Sequence, residues 1–362
     1  MRLAYLVGAP GVPVQGPSGC SAHVRAIIGA FGELGDTRLY AAEKSDRRGV
    51  FGEDVSAWTG GTPGWPSWLR RYREMREVLA ARRVARRVVE DGLSGWMPDV
   101  LVERHALFSD AGWRASSRLK VPWVLEVNAP LVMERERFET VLRPAWARGW
   151  ERDVLLAAPA IAAVSRWLVQ WLRQEVGCRN VAWVPNGVAP LVGDRARGRA
   201  ALGLDGDEPA IGFVGSFKPW HGHQRLGALA TDLDARLVLI GAQSQPVPDI
   251  APERVLRPGH LSGQALADAV AALDVGLAPY PADAPPWFCP LKIFDYRAQG
   301  VPVITTDVGD AAVLVKGGGF AVPADSPDAM REAVQRVLGH RPPVRVRSWT
   351  NVAKDILALV KR

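Results

Sequence analysis

Pro290-Leu291-Lys292-Ile293-Phe294-Asp295-Tyr296-Arg297-Ala298-Gln299-Gly300-Val301-Pro302-Val303-Ile304 reads as a tight apolar loop, a short helix, a glycine stop and a buried strand. Such a loop leaves free backbone amides at a helix N-terminus, where they can hold phosphate oxygens. Asp295 lies about one turn inside a helix otherwise made for burial. An acid there needs a partner, and ligand hydroxyls would supply one. The same residues also fit a core helix with one satisfied carboxylate. The rest of the chain decides between the two.

Outward from this segment, short apolar runs alternate with helical stretches. Strands are expected at residues 2–7, 38–41, 99–102, 122–127, 160–164 and 181–184. The second half repeats the rhythm at 210–214, 235–240, 275–278 and 302–305. Near-continuous apolar strands separated by helices indicate parallel sheets covered on both faces. Two such series, in a chain of 362 residues, imply an α/β protein of two doubly wound domains. The turn residues of Pro185-Asn186-Gly187-Val188-Ala189-Pro190 place the boundary. A last helix is expected from Trp349 to Leu359, after Pro342-Pro343.

With 48% hydrophobic and 23% charged residues, the composition is that of a globular enzyme. No apolar run is long enough to cross a bilayer, and Arg2-Leu3-Ala4-Tyr5-Leu6-Val7 lacks the apolar core and cleavage site of a signal peptide. Cys20, Cys178 and Cys289 are widely spaced and odd in number, so neither a disulfide framework nor a zinc pattern is expected. That usage suits a reducing cytoplasm.

The net charge of +7 is unevenly placed: Arg70, Arg71, Arg73, Arg76, Arg82, Arg83, Arg86 and Arg87 crowd into one expected helix over 69–89. Its apolar residues Leu69, Tyr72, Met75, Leu79, Val84, Val88 and Val89 recur every three or four positions, an amphipathic pattern with a basic outer face. That face is either solvated, with arginines over Glu74 and Glu77, or it meets anionic lipid or a polyanionic acceptor at the inner face of a membrane. Nucleic acid is not expected, because no aromatic-interleaved basic module or zinc finger is present. Residues 42–66 read as a long functional loop. Trp58, Trp65, Trp68, Trp113 and Trp123 either line a sugar or aglycone surface or belong to the core, and Trp123 reads as core.

Open parallel sheets bind ligands beyond the carboxyl ends of their strands. Four segments fall there. The first runs from Gly8 to Gly19, where Gly16 and Gly19 permit close backbone approach to an anion and Ser18 and Ser21 add hydroxyls. Its spacing is not the dinucleotide fingerprint. The second is Gly215-Ser216-Phe217-Lys218-Pro219-Trp220-His221-Gly222-His223, in which Lys218 can oppose a diphosphate and Ser216 can donate a hydrogen bond. The third is the opening segment. The fourth is Val124-Leu125-Glu126-Val127-Asn128-Ala129-Pro130, where alternation sets Glu126 and Asn128 on one face. Glu103-Arg104-His105 ends another strand nearby. These polar groups either orient an acceptor hydroxyl or form an internal ion network of Glu103, Arg104 and Glu126.

Together, Gly215-Ser216-Phe217-Lys218-Pro219-Trp220-His221-Gly222, Pro185-Asn186-Gly187-Val188, Pro290-Leu291-Lys292-Ile293-Phe294-Asp295-Tyr296 with Gly300-Val301-Pro302-Val303, and Leu125-Glu126-Val127-Asn128-Ala129-Pro130 resemble retaining GT-B glycosyltransferases of family four (glycosyl transferases group 1). The resemblance implies two Rossmann-like domains facing a central cleft: residues 1–185 plus 345–362 on the acceptor side, and 186–344 on the donor side. The final helix would cross back to the first domain.

It further implies a nucleoside-diphosphate sugar as donor substrate, a hydroxyl acceptor, and neither cofactor nor metal, because loop amides and a cation stabilise the departing diphosphate. Carried over, Ser216 and Lys218 face the diphosphate, and amides near Pro290, Leu291 and Lys292 cap it. Asp295 holds the ribose hydroxyls, and Gly16 and Gly19 approach the phosphates. Lys218, Asn128 and Glu126 are the candidate catalytic residues. Two positions depart from the pattern. Trp287 stands where the family has a sugar-contacting glutamate, and Asn128 stands where many members have a histidine. The expected reaction is hexosyl transfer with retention at the anomeric carbon. The alternatives are a nucleotide-sugar 2-epimerase of the same architecture and a catalytically silent sugar-nucleotide-binding subunit.

Overall fold

The structure, a computed structural model, describes residues 1–16, 18–42, 72–204, 206–241 and 247–361. Pro17, positions 43–66 of the long loop, Trp58, Trp65, Trp68, Leu69, Arg70 and Arg71 lie outside the described residues. The chain divides into two units, Met1–Pro185 with Trp349–Arg362, and Asn186–Ser348.

The first unit carries β1 (Arg2–Val7), α1 (Gly19–Leu34), β2 (Asp36–Ala41), α2 (Arg73–Leu93), β3 (Val100–Arg104), α3 (Ala111–Leu119), β4 (Trp123–Val127), α4 (Leu131–Phe138), α5 (Pro144–Ala157), β5 (Ile161–Ala163), α6 (Arg166–Trp171) and β6 (Val181–Trp183). Its six strands are parallel, in the order β2-β1-β3-β4-β5-β6. β3 and β4 are buried along their whole length, as continuous apolar runs require when helices cover both faces.

The second unit carries α7 (Arg195–Leu202), β7 (Ala210–Val214), α8 (Leu226–Asp232), β8 (Arg236–Ile240), β9 (Val255–Gly259), α9 (Gly263–Ala271), β10 (Val275–Ala278), α10 (Leu291–Ala298), β11 (Val303–Thr306), α11 (Ala311–Leu314), β12 (Gly319–Val322) and α12 (Pro327–Val337). These strands are also parallel, ordered β12-β11-β10-β7-β8-β9. The core gathers Ile211, Phe213, Leu237, Leu239, Val275 and Leu277 beneath Met330 and Val334 of α12. Two strands escape the sequence pattern. β9 contains Arg257 and Pro258, and β12 begins at Gly319; both are sheet edges, half-exposed, and so lack the two-sided apolar run of a central strand.

The last helix, α13 (Trp349–Ala358), belongs to the first unit. Trp349 meets the His23 ring of α1 edge-on at 4.8 Å, and Thr350 Oγ1 bonds Glu33 at 2.6 Å.

α2 departs from the expected face. Its inward stripe is Glu74, Val78, Ala81, Val84, Ala85 and Val88. Tyr72, Met75 and Leu79 instead lie outward, 58%, 41% and 43% exposed, in one stripe with Arg76, Arg82, Arg83 and Arg86. The small Ala81 and Ala85 complete the valine seam at the helical period and leave the bulkier side chains off it. The acids differ too. Glu77 does take arginines, pairing bidentately with Arg135 at 2.9 and 3.0 Å. Glu74 is buried and accepts the backbone amides of Leu142 and Arg143.

Candidate active site

In the second unit the strand order reverses between β7 and β10, the place where open sheets leave a crevice at their carboxyl ends. α10 starts at that point. Its N-cap is Pro290, whose side chain makes no capping bond, so the first-turn amides of Leu291 and Lys292 face out of the helix end. Tyr296 anchors the helix from behind. Its hydroxyl accepts the Val214 N–H at 2.9 Å and lies 3.2 Å from the Leu277 carbonyl, joining α10 to the ends of both β7 and β10. Gly276 makes room, since a Cβ there would lie 2.4 Å from the Tyr296 ring. Just before the helix, Asn186 clamps residue 289: its N–H meets Cys289 Sγ at 3.4 Å and its Nδ2 donates to the Cys289 carbonyl at 3.0 Å.

Lys292 turns inward from the first turn. Its side chain is buried, Nζ has no hydrogen-bond partner, and the ammonium position lies 4.0 Å from the Phe213 ring centre and 5.1 Å from that of Tyr280. Burial pushes the amine down to about 7, with the Asp295 charge opposing. Burial likewise pushes the Asp295 carboxyl up to about 7, opposed by Lys292. Two aromatic faces offset an ammonium by about 2 kcal/mol each when desolvated, against several kcal/mol for burying the ion. The neutral forms of both groups therefore gain at the expense of the charged ones. Asp295 is thus neither a free surface acid nor a closed ion pair.

The loop after β7 folds over this lysine. Gly215 suits this approach, at a φ of 159°: a Cβ there would crowd the Phe213 ring at 3.1 Å and stand 3.4 Å from Lys292 Nζ. Ser216 is exposed and Lys218 half-buried. Phe217 takes a positive φ of 52°, an uncommon conformation for such a residue, and is held by packing on Phe213 and His223 at 5.1 and 5.2 Å. Gly222 turns the chain at φ 68°, with the Pro279 carbonyl where a Cβ would stand. The Lys218 N–H donates to His221 Nδ1 at 3.2 Å, which leaves the imidazole proton on Nε2. His223 is fully buried with both ring nitrogens unpartnered. Burial and then the Lys292 charge hold both imidazoles below the usual range, so both are neutral at neutral pH. The H-G-H spacing flags these rings in the sequence, but only the tertiary contacts bring them beside Lys292. Trp287 is buried, 3% exposed.

In the first unit the ends of β1, β3 and β4 converge on Glu126, which is 2% exposed. Tyr5 donates to its Oε2 at 2.7 Å, Asn128 Nδ2 donates to Oε1 at 3.0 Å, His23 Nε2 lies 2.5 Å from Oε1, and Arg104 lies 3.7 Å away. Burial pushes this carboxyl up, but His23, Arg104 and Tyr5 outweigh it and hold it well below the usual carboxylate range. Glu126 and Asn128 do share a face. Tyr5 and His23, from β1 and α1, complete a cluster that local spacing does not reveal.

Glu103 takes no part in this cluster. It points to the other face, where the Ser109 hydroxyl donates at 2.6 Å and the Gly112 N–H at 2.9 Å, and burial pushes it up to about 7. His105, buried and with Nδ1 unpartnered, is pushed down to about 3 by burial. The loop after β1 uses its hydroxyls internally. Ser18 caps α1 by accepting the Ser21 N–H, and Ser21 donates to the Pro13 carbonyl at 2.5 Å. Gly16 is buried against Pro13 and Ser21, while Gly19 is exposed, with open space around it. Among the described residues no three His, Cys, Asp or Glu side chains are grouped to hold a metal ion. No helix among them is long and apolar enough to cross a membrane.

Comparison with known proteins follows this division. Residues 17–190 match the family described as Glycosyltransferase Family 4, and residues 208–340 match Glycosyl transferases group 1. The chain is 28% identical over 285 residues to a GDP-mannose-dependent alpha-mannosyltransferase of Mycolicibacterium smegmatis, covering 73% of this chain and 74% of that protein. A protein of the same description from Mycobacterium tuberculosis is 28% identical over 284 residues, covering 73% of each. Among solved structures, sucrose-phosphate synthase from Thermosynechococcus elongatus superposes with a TM-score of 0.65 at 19% identity, over 99% of this chain and 95% of that one. Anabaena HepE, in complex with UDP and glucose, does so with a TM-score of 0.60 at 15% identity, over 100% and 95%. Two glycosyltransferase family models therefore match in succession, one to each unit, and the chain has the GT-B glycosyltransferase fold.

Proposed function

We propose that this glycosyltransferase moves a hexose from a nucleoside-diphosphate sugar to a hydroxyl acceptor with retention at the anomeric carbon. The observation that carries the reading is the uncapped start of α10 at the β7–β10 reversal, held there by the Tyr296 hydroxyl. Amides of Leu291 and Lys292, following Pro290, cap the diphosphate of the donor. Ser216 and Lys218 face it, and Asp295 receives the ribose hydroxyls. On the first unit, Gly19 is the proposed anion contact, Gly16 shapes the loop with its N–H given to the Pro13 carbonyl, and Asn128, fixed by Glu126, is the proposed sugar or acceptor contact. Charge developing on the leaving phosphate is met by Lys218 and the amides, without a metal. That phosphate takes the acceptor's proton on the same face.

The mycobacterial relatives' names make GDP-mannose the first donor to test, with UDP-glucose as the contrast. The protein is incubated with each labelled donor and a panel of hydroxyl acceptors, and the product's anomeric configuration is read by NMR. Transfer with retention supports the proposal. An inverted product overturns the stereochemical part, epimerised donor points to the epimerase, and binding without turnover points to a silent subunit.

A second reading concerns where the acceptor lies. The outward stripe of α2 sets Tyr72, Met75 and Leu79 among Arg76, Arg82, Arg83 and Arg86, the chemistry of an anionic lipid surface. Peripheral membrane contact and a lipid-linked acceptor follow from that reading. Sedimentation with anionic vesicles, lost in the Arg82→Gln/Arg83→Gln/Arg86→Gln variant, tests it; equal sedimentation of the variant refutes it.

A further inference from the structure

Lys292 is used in the proposed function only through its backbone. Its side chain remains unexplained. A lysine amine with no hydrogen-bond partner, enclosed between two aromatic rings, is an unfinished interaction. Its placement is specific. Nζ lies beneath the backbone of Gly215, where a Cβ would stand 3.4 Å from it, and the lysine's own backbone N–H is among the open amides of α10. A lysine in the low-dielectric floor of the crevice also exerts a stronger field than the half-exposed Lys218, whose charge solvent screens.

We infer that the Lys292 side chain is the buried cation that answers the donor's diphosphate, and that it must carry its proton for the anion to bind. This rests on the reading of the second unit as a nucleotide-sugar site. The proton balance is simple. When the amine is neutral, one proton is taken onto Nζ as the anion arrives, from solvent or from the neighbouring Asp295 carboxyl.

The groups facing Nζ define the pH window. Asp295 and Tyr296 share its helix, Tyr280 follows β10, and His221 and His223 lie in the loop after β7. The histidines are held below their usual range, and the phenols of Tyr280 and Tyr296 well above theirs, in each case first by burial. Between about pH 6 and 8.5, Lys292 and Asp295 are therefore the groups that titrate here, both near 7. As pH rises through that range the amine loses its proton, so affinity falls, by up to roughly tenfold per pH unit.

The test measures binding of GDP-mannose, UDP-glucose and inorganic pyrophosphate to the full chain across that range. Wild type is expected to weaken with rising pH. Lys292→Met should bind at least tenfold more weakly at pH 6.5, and both it and Lys292→Arg, whose charge does not titrate, should keep only the shallower slope that Asp295 contributes. Asp295→Asn, which removes the opposing acid, should shift the fall to lower pH. Since the chain has seven lysines, 13C labelling of lysine with Lys292→Met as the assignment control follows this amine directly in the folded wild type. That signal should move upward in apparent pKa on adding pyrophosphate. Lys292→Met binding like wild type with the same slope, or a Lys292 signal indifferent to the anion, overturns the inference. Lys292-dependent binding of pyrophosphate without binding of either nucleotide sugar keeps the inference and defeats the donor assignment instead.

Discussion

Asn128 Nδ2 donates to Glu126 Oε1 at 3.0 Å. Because Tyr5, His23 and Arg104 hold Glu126 as a carboxylate, it can only accept, and the amide of Asn128 has no choice of orientation. What remains for a ligand is the carbonyl oxygen Oδ1 and the second Nδ2–H, a pair that a sugar hydroxyl, donor and acceptor at once, can meet. Asn128→Asp replaces the donor by a second carboxylate. Transfer should fall at least tenfold at pH 8 and recover partly as pH drops and the new acid protonates to donate. The kcat/KM profile against pH measures this; a pH-independent loss contradicts it.

Glu126 itself should report on acid stability. Its folded-state value lies below the ordinary carboxylate range, so its contribution is full at neutral pH. That contribution is lost as pH falls below about 4, where the unfolded chain takes up the proton first. Glu126→Gln leaves the buried Arg104 charge uncompensated and should cost about 3 kcal/mol at pH 7. Urea unfolding of both proteins at pH 7 and pH 4 checks the expectation that this difference shrinks in acid.

Removing the Tyr296 hydroxyl should loosen the start of α10 with little change in volume. Tyr296→Phe leaves the Val214 N–H without its acceptor, at a cost of about 1–3 kcal/mol. The KM for the donor should rise more than kcat falls, since the lesion is in the binding frame. Thermal melts with donor kinetics separate the two effects.

Lys218→Ala tests the cation of the loop after β7. If it stabilises the leaving phosphate, turnover should drop by about two orders of magnitude, with the melting temperature nearly unchanged because the side chain is half-exposed. Near-normal transfer would remove Lys218 from the mechanism.

Much of the fold is legible in the chain. The central strands appear as unbroken apolar runs because parallel strands are covered on both faces. β9 and β12 do not, because an edge strand needs only half of that pattern. The shared face of Glu126 and Asn128 follows from the two-residue period of a strand. The same rule separates Glu103 from Arg104, and it argues against the three-membered ion network of Glu103, Arg104 and Glu126. Arg104 does approach Glu126, while Glu103 is satisfied by Ser109 and Gly112. On α2, a repeat of three or four residues is shared by adjoining stripes of one helix. Periodicity alone therefore does not say that Val78, Val84 and Val88 seat inward and Tyr72, Met75 and Leu79 outward.

The sequence by itself determined the two parallel α/β series, the helix start after Pro290, and the residue types beyond the strand ends. All of these depend on neighbours within a few positions. Only the tertiary structure decided that Lys292 lies unpartnered between Phe213 and Tyr280, that Tyr296 ties α10 to both β7 and β10, and that Tyr5 and His23 close around Glu126. Burial, charge state and hydrogen-bond satisfaction are set by groups far apart along the chain, and a local pattern carries no record of which distant side chain will exclude the water.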